Sequence, residues 1–160
     1  MTGEFQIATY TIDVEVSLGD GPRLVGQMFL RHVADRHSGP ETLADRLNDG
    51  LPFFPLRVSE PEPATLLVGK AQVRYVIGPD PSADERMAVT RAVATQVGAS
   101  VLLDDGQALS GVMFVESPPG HDRPLDFVNQ PEQAFVVLAQ PGHECLINRN
   151  RIRYLLDTVS

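Results

Sequence analysis

Basic residues recur near the end of each half of the sequence, where alternating positions could form an anion-binding surface. Successive side chains of a β-strand point to opposite faces, so Arg149, Arg151 and Arg153 would share one face. Lys70 and Arg74 occupy the corresponding stretch of the first half. Such a stripe predicts a binding surface for a phosphate, a carboxylate or an acidic partner. The alternative is a solvated strand face whose charge prevents edge-to-edge aggregation.

A second polar pattern, an aspartate followed three residues later by an asparagine, occurs twice. The pairs are Asp45 with Asn48 and Asp126 with Asn129. All four side chains could point at a shared ligand. The alternative, which we favour, is that each aspartate caps a helical turn and each asparagine ends it in a left-handed conformation. We therefore predict a structural role for these four residues.

The four histidines and the single cysteine have spacings that give little support to a metal or catalytic site. His143 and Cys145 would face the same way on a strand, but no second close pair stands at zinc-ligand spacing. The sequence also lacks G-x-G-x-x-G, G-x-x-x-x-G-K-[ST] and G-x-S-x-G motifs. We predict no metal, no cofactor and no enzymatic activity. An enzyme would need an acid–base cluster built from Asp45, Asp126 and the histidines.

The elements that would position these residues occur twice in the chain. The separation between matching segments changes from 85 to 81, 82 and then 79 residues, with Asp45 and Asn48 matching Asp126 and Asn129 at 81, as small changes in loop length would produce. We predict a tandem duplication, with a first unit at 1–78, a linker at 79–86 and a second unit at 87–160. The matches are Val14–Gly21 with Ala99–Gly106, Phe53 and Leu56 with Phe135 and Leu138, and Leu67–Tyr75 with Leu146–Tyr154.

Within each unit apolar and polar residues mostly alternate, which is the period of a half-buried β-strand. Asp20-Gly21 and Asp105-Gly106 are hairpin signals between such strands. The order is strand, hairpin, strand, helical turn, strand, turn, strand. It predicts a mainly β chain of two small antiparallel sheets or partly closed barrels, related by a pseudo-twofold axis. Residues 82–97 fit a capped helix or a strand, and we favour the strand because the first unit has one there.

The unit resembles an uncharacterised bacterial small β domain. The features of the resemblance are a glycine-bearing hairpin strand, an L-x-D-x-L-N-like segment and a final V/I-R-Y-like strand. The overall shape also resembles small barrels of the Sm-like or PilZ-like kind. The arginine-rich motif and the D/N-x-S-x-x-G strand of nucleotide-binding PilZ domains do not occur here, so cyclic-dinucleotide binding does not carry over. The first copy keeps Leu43, Asp45, Leu47 and Asn48, whereas the second has Pro124 and Val128 in the leucine places.

Composition narrows the function classes. The 160 residues include 13 Lys and Arg against 21 Asp and Glu, a net charge of -8, which argues against a general nucleic-acid binder and against adsorption to anionic membranes. No leader pattern and no apolar run of about 18 residues is visible, so we expect a cytoplasmic protein. We predict a non-enzymatic binding or scaffold module whose partner is another protein or a second copy. The alternative is a sensor of a small anionic ligand, such as a nucleotide or metabolite, at the basic residues.

Overall fold

A computed structural model describes residues 9–19, 21–35, 37, 39–81, 84–115, 128–130 and 133–157. The protein is mainly β, as predicted. In these residues ten antiparallel strands form one continuous sheet that does not close, and not two separate sheets or partly closed barrels. The helices α1 (Leu43–Leu47) and α2 (Glu85–Val93) accompany it. The strands are β1 (Thr9–Ser17), β2 (Leu24–Arg31), β3 (Phe53–Val58), β4 (Ala64–Gly69), β5 (Tyr75–Pro79), β6 (Thr95–Leu103), β7 (Ala108–Val115), β8 (Phe135–Gln140), β9 (His143–Asn148) and β10 (Ile152–Asp157).

Alternating burial explains the long hairpins of the two halves. In β1 the side chains of Val14 and Val16 enter the core, and the strand pairs with β2 from Thr9 opposite Arg31 to Val16 opposite Leu24. β6 and β7 form the corresponding hairpin in the second half. Gly106 in its turn has φ +90°, a backbone conformation that a side chain would disfavour.

The last apolar run of each half is not one continuous strand. β4 ends at Gly69, a 3-10 turn covers Lys70–Gln72, and β5 begins at Tyr75. In the second half the turn Arg149–Arg151 separates β9 from β10 in the same way. The predicted single strand is therefore wrong at these turns, and the alternation expected for Arg149 and Arg151 does not apply.

Residues 85–93 form helix α2, so the strand favoured for this segment is wrong. The Asp84 side chain caps the helix by accepting a hydrogen bond from the Met87 N–H at 3.2 Å. No residue of α2 is buried, so no sheet face enforces a two-residue period there. The local cap therefore decides the conformation, and the strand β6 starts only at Thr95.

The strand order is β10-β6-β7-β8-β9-β5-β1-β2-β3-β4. Each half thus contributes five adjacent strands, in the orders β10-β6-β7-β8-β9 and β5-β1-β2-β3-β4, which follow the same pattern. The halves meet where β5 pairs with β9, from Tyr75 opposite Ile147 to Pro79 opposite His143. We call this pairing the central junction. The tandem duplication and its unit boundaries stay predictions.

Both faces of the central junction are buried in hydrophobic clusters. Val76 and Leu146 belong to a cluster formed mainly by the first half, together with Leu43 of α1. Tyr75 and Ile147 belong to a cluster formed mainly by the second half. Each cluster therefore contains side chains from both halves. Within the described residues, neither helix has the length and apolar character needed to cross a bilayer.

Candidate functional site

Two of the five basic residues of the predicted binding surface contact one carboxylate at the turn between β6 and β7. Arg74 Nε lies 2.9 Å from Asp104 Oδ1, and Arg151 Nη1 lies 3.2 Å from Oδ2. Desolvation raises the pKa of Asp104, but the hydrogen bonds and charges of the two arginines outweigh it and lower that pKa. Arg151 Nη2 also donates to the Ala71 carbonyl at 2.8 Å, and Arg153 donates to the Asp104 carbonyl at 2.7 Å. These three arginines therefore hold the 3-10 turns and the β6–β7 turn together.

Lys70 lies inside the protein. Its Nζ contacts Asp49 Oδ1 at 2.5 Å and donates to the Arg46 carbonyl at 2.9 Å. Its side chain is only 9% exposed. Lys70 therefore anchors the segment after α1 to the turn after β4.

Arg149 also turns inward. Its Nη1 donates to the carbonyls of Val128 and Gln130, at 3.1 and 2.6 Å. The five basic residues thus separate into three places, and only Arg153 is exposed as a residue. The single strand face expected from the spacing does not form, because Arg149 and Arg151 belong to a 3-10 turn. An anion-binding role for these residues stays a prediction.

Asp45 takes part in a helix cap, although the N-cap residue is Thr42. The Thr42 side chain accepts from the Asp45 N–H, and Asp45 Oδ2 accepts from the Thr42 N–H at 2.8 Å, which is a capping box. Oδ2 also lies 2.6 Å from His37 Nε2. The structural role predicted for Asp45 therefore has a matching geometry. Asp126, its counterpart, lies outside the described residues.

Asn48 ends α1 with φ -104° and ψ 15°, so it does not adopt the left-handed conformation that we predicted. No described residue other than glycine has a positive φ, so the prediction is wrong for Asn129 as well. Asn48 instead bridges to the second half of the chain. Its Oδ1 accepts from the Phe135 N–H at 2.7 Å, and its Nδ2 donates to the Phe135 carbonyl at 3.3 Å. Sequence reasoning missed this contact because 87 positions separate the residues.

A cavity of about 480 Å³ lies among α1, α2 and strands β7 to β9. Glu144 lines it from β9 and pairs with Arg91 of α2 at 3.0 Å. The Arg91 guanidinium also lies 4.7 Å from the ring centre of Phe114. Burial raises the pKa of Glu144 to about 7, although Arg91 opposes the shift. The other acidic lining residues are Asp35, Glu41, Asp45 and Asp49.

The acidic groups of the cavity are engaged with cations or backbone donors. Glu41 pairs with Arg46 at 2.8 Å, and Asp49 pairs with Lys70. In the part of the chain that the structure describes, no three His, Cys, Asp or Glu side chains are grouped so that they could hold a metal. Cys145 is buried, and desolvation raises the pKa of its thiol to about 12, which leaves no thiolate for nucleophilic chemistry at neutral pH.

The two terminal strands of the sheet expose large apolar side chains. Leu67 of β4 is 75% exposed, and Phe53 on the neighbouring strand β3 is 59% exposed. At the opposite end, Tyr154 and Leu156 of β10 are 56% and 50% exposed. Among the described residues β4 and β10 each have one strand neighbour, so each leaves one backbone edge open. We call these the β4 edge and the β10 edge.

The β4 edge lacks the usual protection against pairing with another chain. Natural edge strands are commonly blocked by charge, proline or a bulge, whereas β4 reads Ala-Thr-Leu-Leu-Val-Gly and pairs with β3 in continuous register from Ala64 to Gly69. This uncharged run was visible in the sequence, but only the strand order shows that it lies at the end of the sheet. The β4 and β10 edges together are the candidate interaction site.

No protein-family model, curated protein or solved structure matches this chain in comparisons with known proteins.

Proposed function

We propose that this protein is a non-enzymatic binding module that captures an extended protein segment by strand addition at the open edges of its sheet. The observation that carries the proposal is the uncharged, apolar β4 edge. Strand addition supplies main-chain hydrogen bonds, and alternate side chains of the added segment supply specificity. Leu67 and Phe53 would then be covered by the partner instead of facing water.

The arrangement of the exposed apolar side chains supports a protein partner. Isolated exposed hydrophobic residues are common on soluble proteins and need no explanation. Here, however, Phe53 and Leu67 lie on adjacent strands beside an unpaired backbone edge, and Gly69 opposite Phe53 adds no side chain that could cover the ring. A combination of apolar contact and unsatisfied main-chain groups is what strand addition uses.

A sensor of small anionic ligands has less support. Lys70 and Arg149 are directed to internal acceptors, and Arg74 and Arg151 pair with Asp104. Among the described residues that line the cavity, the one cation is Arg91, and it is already paired with Glu144. The cavity is therefore no better suited to bind an anion than the five basic residues predicted from the sequence.

An enzymatic function also has less support than binding. The acid–base cluster that an enzyme would need starts from Asp45, whose carboxylate already completes the α1 cap and contacts His37. Cys145 is buried with a raised thiol pKa. Glu144, whose pKa is raised to about 7, is held by Arg91 in an ion pair.

The test uses a displayed library of random peptides selected on the Leu156→Lys variant, whose β10 edge is blocked while its β4 edge stays open. We expect enriched peptides to be extended, with alternating apolar residues and no central proline. They should lose binding when Leu67→Lys is added. The matched control is Val25→Lys, which charges a 67% exposed valine on the interior strand β2 and should leave binding unchanged. The proposal would be overturned if the selection enriched no peptide, or if every enriched peptide still bound after Leu67→Lys was added.

A further inference from the structure

We propose that the natural occupant of the β4 edge is the β10 edge of a second copy of this chain, joined as β5 and β9 are joined inside one molecule. This inference rests on the proposed function, because it uses the same edges. It adds the identity of the partner and the register of the contact.

The strand order makes the two edges complementary halves of one junction. The matching segments Leu67–Tyr75 and Leu146–Tyr154 place β4 in the position of β9 and β10 in the position of β5. Inside the molecule, β9 of the second half pairs with β5 of the first half. The β4 edge is thus the counterpart of the β9 edge, and the β10 edge is the counterpart of the β5 edge. The β4 edge and the β10 edge of two copies could therefore pair as β9 and β5 pair in the central junction.

Burial at matching positions supports the same conclusion. Phe135 and Leu146 are at most 2% exposed, and both belong to the cluster of the first half. Their counterparts on the β4 edge, Phe53 and Leu67, are largely exposed. On the other side of the junction, Tyr75 is 2% exposed, whereas its counterpart on the β10 edge is exposed. The residues exposed at the two edges therefore correspond to residues that the central junction buries.

A second copy would bury these side chains in existing clusters. Leu146 packs with the cluster of the other half, and Leu67 of one copy would pack in the same way with the second-half cluster of its neighbour. Tyr154 would pack with the first-half cluster of the neighbour, as Tyr75 packs with the second-half cluster inside one chain. Removal of this apolar surface from water favours association of the two copies.

The polar contact between Asn48 and Phe135 has counterpart residues in the repeat. The repeat pairs Asn48 with Asn129 and Phe135 with Phe53. Asn129 and Phe53 are both exposed. Docking of β10 onto the β4 edge of a neighbour would bring the Asn129 side chain to the backbone of the neighbour's Phe53. The geometry would be that of Asn48 and Phe135, in which both backbone polar groups are satisfied.

The central junction predicts the register of the contact between copies. Tyr75 faces Ile147, Val76 faces Leu146 and Ile77 faces Cys145. Transferred to the edges, Tyr154 faces Val68, Leu155 faces Leu67 and Leu156 faces Leu66. Because every copy has one edge of each kind, copies join head to tail and form a ring if the rotation closes or a filament if it does not.

Sedimentation velocity over a concentration series tests the contact with full-length protein. We expect the wild type and the Val25→Lys control to form oligomers, and Leu67→Lys and Leu156→Lys each to be monomeric with unchanged circular dichroism. A mixture of the two blocked variants retains one intact β4 edge and one intact β10 edge, so it should form a heterodimer and nothing larger. A monomeric wild type at its highest soluble concentration, or oligomers that persist in both blocked variants, would overturn the inference.

Cysteine crosslinking between copies tests the register. Leu66→Cys on one copy and Leu156→Cys on another should form a disulfide under mild oxidation, since directly opposite residues have suitable separations. Thr65→Cys with Leu156→Cys is the matched control, because a shift of one residue places the thiols on opposite faces. Oligomers that crosslink only in the control pair would refute the register.

The two proposals can fail separately. Peptide binding at the β4 edge with a monomeric wild type would refute the second copy as occupant but leave the proposed function intact. If neither peptide binding nor oligomers were found, both the proposed function and this inference would be refuted.

Discussion

Asn48 and Phe135 are paired across the two halves of the chain as if they were opposite residues of neighbouring strands. The Asn48 side chain accepts from the Phe135 N–H at 2.7 Å and donates to the Phe135 carbonyl at 3.3 Å. One asparagine therefore satisfies both backbone groups at the start of β8. The contact locks α1 of the first half to the sheet of the second half.

Replacing Asn48 by alanine should destabilise the fold. The substitution leaves the Phe135 N–H and carbonyl without this partner, which costs about 1–3 kcal/mol in the free energy of unfolding. Urea denaturation followed by circular dichroism measures the loss, in the Leu67→Lys background so that assembly does not contribute. Asn129→Ala is the matched control. Asn129→Ala should leave the free energy of unfolding of the Leu67→Lys protein unchanged, but it should weaken the oligomers of the otherwise wild-type protein. Equal losses in the free energy of unfolding from Asn48→Ala and Asn129→Ala would contradict the role assigned to Asn48.

Glu144 should make stability fall as pH rises. Its pKa is about 7 in the folded protein and 4.5 in the unfolded chain, so the folded state binds the proton more tightly. The stabilisation is fully present below pH 4.5 and is lost as pH rises to about 7, a total change of about 3 kcal/mol. We expect the wild type to lose stability relative to Glu144→Gln across this window, as measured by chemical denaturation at several pH values. Arg91→Gln should move the upper limit of the window to higher pH, because Arg91 favours the charged carboxylate.

Lys70 should behave as a structural residue. Its Nζ is held by Asp49 and the Arg46 carbonyl in a largely buried position. Lys70→Ala leaves the Asp49 carboxylate without this partner and should lower the free energy of unfolding by about 3 kcal/mol. Asp49→Asn with Lys70→Ala should lose less than the sum of the two single variants, and thermal denaturation of all four proteins completes the cycle. Additive losses would show that the pair is not coupled.

A side chain at Gly26 or Gly111 should destabilise the fold. A Cβ at Gly26 would lie 2.4 Å from the Arg57 carbonyl oxygen, and one at Gly111 would lie 2.4 Å from the Ala139 carbonyl oxygen. Both contacts involve backbone of the neighbouring strand, so either Gly→Ala variant should lose about 1–3 kcal/mol of stability. Thermal denaturation measures the loss, with Ser110→Ala on the exposed side of β7 as the control. A stable variant would mean that the neighbouring strand can move away at little cost.

Assembly should strengthen with salt. Each copy carries a net charge of -8, so copies repel one another at low ionic strength. The β4 edge itself has no charge, and salt therefore screens the repulsion without weakening an ion pair of β4. Sedimentation at increasing sodium chloride should show a falling dissociation constant. A rising constant would indicate an ionic interface and contradict apolar strand pairing.

Period-two patterns were sufficient to predict the hairpins and the mainly β class. Val14 and Val16 alternate with polar residues, and the glycine-bearing turns follow directly in the sequence. The same rule failed at residues 85–93, where Asp84 caps a helix that buries no residue. It also failed for Arg149 and Arg151, because a 3-10 turn interrupts the apolar run between β9 and β10. Periodicity is informative only where a buried face enforces it.

The sequence by itself determined the alternating strands, the acidic balance and the two sets of matching segments. The tertiary structure decided which strand lies at an edge, because strand neighbours are set by contacts between residues far apart in the chain. It also decided the roles of the polar residues: Lys70 and Arg149 became internal anchors, and Asn48 became a bridge to Phe135. Leu67 and Leu146 are an example: these matching leucines are exposed and buried respectively, because among the described residues β9 has a strand on each side whereas β4 has a strand on one side only.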